Sequence, residues 1–153
     1  MSDNYINIIP QNSSFIPDLV EQEHIRDVLH KICPKSEMIE IEINEGVQFR
    51  DCGSNFERVI CPNCHTEINI DSWQSLMDKD YDSEMNGFLL NKYSVPCCEK
   101  LYNLSDLKYE FEQGFSRFLV GCMNPNRLKL SPDEIAQVEE VAKFSIKVIY
   151  QHL

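Results

Sequence analysis

A chain of 153 residues, 42% of them hydrophobic, has the length of one domain and enough apolar material for a packed core. Acidic residues outnumber basic ones 25 to 14, a net charge of −11. Such a surface repels phosphates, which argues against nucleic acid and for a protein partner, a basic one in particular. No apolar run reaches membrane-spanning length, and the stretch "MSDNYINIIPQNSS" lacks the basic and apolar regions of a secretory signal, so the expected location is the cytoplasm.

In chain order, "YINII" (5–9) predicts a short strand closed by Pro10. Residues 17–33 predict a helix, with Ile25, Val28, Leu29 and Ile32 on one face and Pro34 as its stop. "EMIEIEIN" (37–44) alternates apolar and acidic residues, the pattern of a strand with one wet face. Asn44–Gly46 reads as a tight turn, after which "VQFRDC" (47–52) pairs back as a hairpin. A second helix is expected with Asp71 as cap, Gln74 at the capping-box position and Trp73, Leu76, Met77 and Tyr81 inward, stopped at Asn86-Gly87. Strands over 87–95 and 115–123 flank a short helical turn in "NLSDLKYEFEQG". The strongest local signal is "SPDE" (131–134): Ser131 at N-cap, Pro132 at N1 and Glu134 closing the box. The helix it opens is expected to run to the last residue, with Ile135, Val138, Ala142, Ile146, Ile149 and Leu153 as its buried stripe.

The outer elements thus read β-α-β-β, an insertion, then β-α. That order predicts an α+β fold: an antiparallel sheet with two packing helices, residues 1–153 forming one domain and 52–104 an inserted unit. The insertion is poor in aliphatic residues, and a metal would supply the missing stabilisation.

Seven cysteines (33, 52, 61, 64, 97, 98 and 122) are an awkward number for a disulfide framework and read better as metal ligands or buried thiols. Cys61-Pro62-Asn63-Cys64 has knuckle spacing, in which a tight turn aims two sulfurs at one point. On these residues, the stretch from about 52 to 104 resembles the zinc-ribbon family, whose knuckles commonly read Cys-Pro-x-Cys-Gly; here His65 stands in the glycine place. The resemblance implies a second pair of ligands. Adjacent Cys97 and Cys98 supply it, or Cys52 replaces one of them; Pro96, which breaks the strand, favours the first set. Four thiolates leave no open position, so a zinc ion held there would be structural, and no enzymatic role is expected. A rubredoxin-like iron site would accept the same donors.

Other polar groups point nowhere so definite. Asp78, Asp80, Asp82 and Glu84 fail as a calcium loop, because Ser83 takes the glycine position and Leu89 the twelfth; they read as a solvated helix face. Asp51, Glu57 and His65 near the knuckle come with no catalytic motif. His24 and His30 read as surface residues, Cys33 and Cys122 as buried thiols, and Arg117 inside an apolar strand is unassigned. The wider pattern "DCGSNFE…CPNC…PCC…GFSRF" resembles small bacterial cytosolic proteins. The leading expectation is a zinc-binding protein that acts by binding another protein, inhibitor- or immunity-like. The alternatives are a nucleic-acid-associated ribbon and a metalloenzyme with an open zinc position.

Overall fold

The computed structural model describes residues 2–153 and has the expected α+β architecture. Strands β1 (Asn4–Pro10), β2 (Met38–Arg50), β10 (Gly114–Met123) and β11 (Ile146–His152) form an antiparallel sheet in the order β11-β1-β10-β2. Helices α1 (Leu19–Ile32) and α3 (Pro132–Ala142) cover one face of it. There Ile6 and Ile8 of β1 and Phe118 and Val120 of β10 pack against Ile25 and Leu29 of α1 and Val138 of α3. Both helices begin with a closed capping box. Glu21 N–H donates to Asp18 at 2.8 Å in α1, and Glu134 N–H donates to Ser131 at 3.1 Å in α3.

The C-terminal helix is shorter than its sequence suggests. It ends at Ala142, where Lys143 adopts a left-handed conformation (φ 65°) and closes the last turn by donating to Glu139 O. Residues 146–152 form β11 instead and pair along the whole of β1. The β-branched residues Ile146, Val148 and Ile149 fit a pleated surface better than a helix. Ile146, Val148 and Tyr150 face the helices, while Ile149 is buried on the opposite face with Ile9 and Cys52. The predicted stripe is therefore split between the two sides of a strand, and Leu153 is exposed.

The expected hairpin at Asn44–Gly46 does not form either. β2 runs on past it and stays paired with β10, Ile43 opposite Phe118 and Gln48 opposite Ser116. Asn44–Val47 therefore stand opposite the single residue Arg117, a wide bulge that bends the strand. Two arginines hold it. Arg117 Nε donates to Asn44 O at 3.2 Å. Buried Arg50 donates to Ser116 Oγ at 3.1 Å and Asn44 Oδ1 at 2.7 Å, and pairs with Glu42. Gly46 lies so close to the Asn86 carbonyl that a Cβ there would sit 2.4 Å from the oxygen.

Beyond the bulge, β2 and β10 enter a second core. Between them lie β3 (Arg58–Ile60), β4 (Glu67–Ile68), α2 (Ile70–Asp80), β5 (Tyr81–Asp82), β6 (Gly87–Phe88), β7 (Tyr93–Ser94), β8 (Leu101–Tyr102), a 3-10 turn (Leu104–Asp106) and β9 (Lys108–Glu110). The cap of α2 is Asn69, not Asp71: its side chain accepts from Asp71 N and Ser72 N, and Gln74 bonds Asp78 instead of closing a box. Asn86-Gly87 ends no helix. Asn86 (φ 53°) is in the turn of the β5–β6 hairpin, and the strand expected over 87–95 is broken by Leu90, also at positive φ. Trp73 centres this core, with the rings of Phe49 of β2, Phe56 and Tyr109 at 5.7, 5.6 and 6.1 Å. Its indole N–H donates to Tyr109 Oη, which donates in turn to Leu104 O. The segment is poor in aliphatic residues, but aromatic rings, including Phe49 and Phe115 lent by the main sheet, fill the space.

Gly46→Ala tests the contact between bulge and hairpin. The added methyl meets backbone, which cannot swing aside, and should cost about 1–3 kcal/mol in urea unfolding. Glu45→Ala, at the exposed neighbour, should change stability by about 0.5 kcal/mol or less.

Candidate metal centre

Two turns build the site. The first joins β3 to β4 and carries Cys61 and Cys64. It is closed at both levels: Cys61 N–H donates to Thr66 O at 2.9 Å, and His65 N–H donates back to Cys61 O at 3.0 Å. His65 sits in the left-handed region (φ 60°), where glycine is usual, and its side chain is exposed. The second turn joins β7 to β8 and carries Cys97 and Cys98. Pro96 opens it, and Cys98 N–H donates to Val95 O at 3.3 Å. Neighbouring side chains on a straight strand point to opposite faces, but in this turn both aim at the first pair.

All four sulfurs lie within 4.8 Å of one another, with Cys61 Sγ and Cys98 Sγ 3.4 Å apart. A zinc ion bound tetrahedrally at about 2.3 Å from each sulfur would hold them roughly 3.8 Å apart. The donor set therefore fits a metal ion that accepts four thiolates. Cys61 is buried, Cys97 and Cys98 are half-buried, and Cys64 is exposed.

The thiols differ in their readiness to ionise. The Thr66 hydroxyl, 3.2 Å away, and the Thr66 backbone bring Cys64 down to about 6. Burial pushes Cys61 up, but the backbone N–H groups of Cys64 and Asn63, together with the thiols of Cys98 and Cys97, outweigh it and leave its value lowered. Desolvation, followed by the nearby sulfurs of Cys64 and Cys61, raises Cys97 to about 12. Negative charge gathered at one point resists further ionisation, and a bound cation removes that resistance.

A buried carboxylate outside the cluster positions the second turn. Asp80, the last residue of α2, accepts from Leu90 N at 2.7 Å, Asn91 N at 2.9 Å and Tyr93 Oη at 2.9 Å. It is fully buried, not part of a solvated helix face. Asp82 likewise has a local task, accepting from Glu84 N in the hairpin turn. Asp80 thereby ties α2 to β7, the strand that leads into Pro96-Cys97-Cys98. Sequence reasoning missed it because its partners lie 10 to 13 residues along the chain, beyond any helical period.

Cys52 is not in the cluster. It is buried with Ile9 and Ile149, its N–H donates to Gln113 Oε1 at 3.0 Å, and burial raises its thiol to about 11. Cys33 and Cys122 lie in the larger core, where contact with Cys33 and burial hold Cys122 above the ordinary thiol range. Asp51 bonds Gln151 on the main sheet, and Glu57, His24 and His30 are exposed. The chain matches no protein-family model, no curated protein and no solved structure.

Substitution should separate these roles. Cys98→Ser should lose the bound metal and Cys52→Ser should keep it, read by metal content after gel filtration. Asp80→Ala leaves three donors without their acceptor and should cost about 3 kcal/mol in denaturant unfolding of the metal-loaded protein.

Proposed function

We propose that Cys61, Cys64, Cys97 and Cys98 hold one structural zinc ion, and that the protein acts by binding another protein through its acidic surface. The observation that carries the metal reading is the convergence of two turns, each bringing two thiols, on one point. With four thiolates bound, a tetrahedral ion keeps no position for water or substrate, so the ion's work is mechanical. It would clamp the turn of the β3–β4 hairpin, whose β3 also pairs with β9, to the β7–β8 hairpin, whose two-residue strands cannot persist alone. A hairpin pair clamped in this way is the arrangement that the zinc-ribbon resemblance implies, and it makes the stretch from about Cys52 to Leu104 a metal-stabilised unit.

The protein-binding reading is supported by the net charge of −11 and by the fully coordinated donor set, which offers no chemistry. An inhibitor- or immunity-like role fits a small acidic domain of this kind, by analogy. Nucleic acid is disfavoured by the same charge, because its affinity rests on basic contacts.

Metal analysis of protein purified without added metal should find about one zinc per chain, and the protein should be colourless; visible thiolate-to-iron absorption would replace zinc with iron. Hydrogen exchange with and without chelator should show protection lost first between about Cys52 and Leu104 and kept in the four-stranded sheet. Uniform loss would mean one cooperative core, and no loss would remove the structural role from the metal. Immobilised zinc-loaded protein should retain a discrete protein from an extract of its host cells at low salt and release it at high salt. Retention of nothing at any salt would sink the protein-binding reading while leaving the metal site standing.

A further inference from the structure

We propose that the outer edge of β2, Ile39 to Ile43, docks an extended segment of the partner in which basic and apolar residues alternate, added as a fifth strand of the main sheet. The proposal rests on the protein-binding reading and names its surface. β2 is the outermost strand on its side of the sheet. The direction of its backbone groups follows from the ladder. Asn124 N–H donates to Asn4 O, and Ile6 stands opposite Cys122, so alternate residues of β10 from Asn124 back to Val120 turn their amides toward β1. Met123, Gly121 and Leu119 therefore turn theirs toward β2, where Met38, Glu40 and Glu42 stand opposite. Ile39, Ile41 and Ile43 are left with N–H and C=O groups directed outward. Among the described residues, none of these groups has a hydrogen-bond partner outside the sheet.

An open edge of this kind invites a strand, and the side chains beside it select which one. Glu37, Glu40, Glu42 and Glu45 are all exposed, and no basic residue lies between Glu37 and Glu45. Glu40 and Glu42 share the face turned away from the helices, beside a groove of about 390 Å³ floored by Tyr5, Leu119 and Met123 and rimmed also by Asp51. Arg50 neutralises Glu42 in part, so Glu40 is the free charge of the strand's centre. On the other face, Ile39 and Ile41 are half-buried against the helix core and Ile43 is exposed. Residues directly opposite one another in paired strands share a face. The strand that fits thus places Lys or Arg opposite Glu40 and Glu42, and apolar residues opposite the isoleucines. A second copy of this chain fits badly, because antiparallel pairing of two β2 edges would set glutamates against glutamates.

Fluorescence anisotropy on the zinc-loaded full chain tests this. The probe is a labelled peptide of about eight residues alternating Lys and Val, a common strand length. It should bind, weaken as salt rises, and lose about tenfold or more in affinity to Glu40→Lys protein. The same peptide N-methylated on alternate residues keeps its charge but cannot complete the ladder, and it should bind at least about tenfold more weakly. Equal binding of the methylated and unmethylated peptides would mean charge attraction alone and would overturn the edge site. So would sedimentation showing a dimer that Glu40→Lys abolishes. A host-extract partner retained equally by parent and Glu40→Lys protein would also overturn it while leaving the protein-binding reading intact; no retained partner and no peptide binding would sink both.

Discussion

Everything else in this protein hangs on the pairing of β2 with β10. At one end the two strands form half of the helix-covered sheet; at the other they lend Phe49 and Phe115 to the aromatic core beneath the thiol cluster. One strand pair, interrupted only at the bulge, thus supports both cores. The bulge at Asn44–Val47 makes this possible, because it bends the strand without ending it. Arg117 and Arg50 satisfy backbone and side-chain acceptors there, and the glycine at position 46 lets the β5–β6 hairpin approach backbone to backbone.

The second core shows how a segment with few aliphatic residues can still exclude water. Trp73, Phe56 and Tyr109 present large faces, and the two polar groups among them satisfy one another in the chain from the indole N–H to Tyr109 Oη to Leu104 O. Two short hairpins rest on this core: β3–β4, which β9 extends to three strands, and β7–β8, which has too little backbone bonding to be stable by itself. The thiols lie where the hairpin turns meet. The proposed zinc would tie together what packing only brings near. Asp80 performs a related task without metal, fixing the start of β7 through three hydrogen bonds from groups far along the chain.

How much was legible depends on the range of the interaction. Caps are local: Ser131, Pro132 and Glu134 announce a helix start and the structure has one. The Cys-x-x-Cys turn is local too, and Cys61 and Cys64 stand where such a turn puts them. The extent of the last helix was misread because the helical stripe and the strand pattern overlap in the run 146–152, where β-branched residues serve either period. The hairpin at Asn44–Gly46 was misread for a similar reason: the residues that favour a turn also favour a bulge, and the choice was made by β10, some seventy positions away.

By itself, the sequence determined the α+β class, the capped start of the last helix, the net charge of −11 and the first pair of thiols, because each follows from spacing within a few residues or from composition. Only the tertiary structure decided that Cys97 and Cys98 join that pair while Cys52 does not. It alone decided that 146–152 is an edge strand, and that the other edge of the sheet is left open at Ile39–Ile43. These outcomes depend on which strands find each other across long stretches of chain. The ladder register that settles them is fixed by the packing of both cores at once, which no local pattern records.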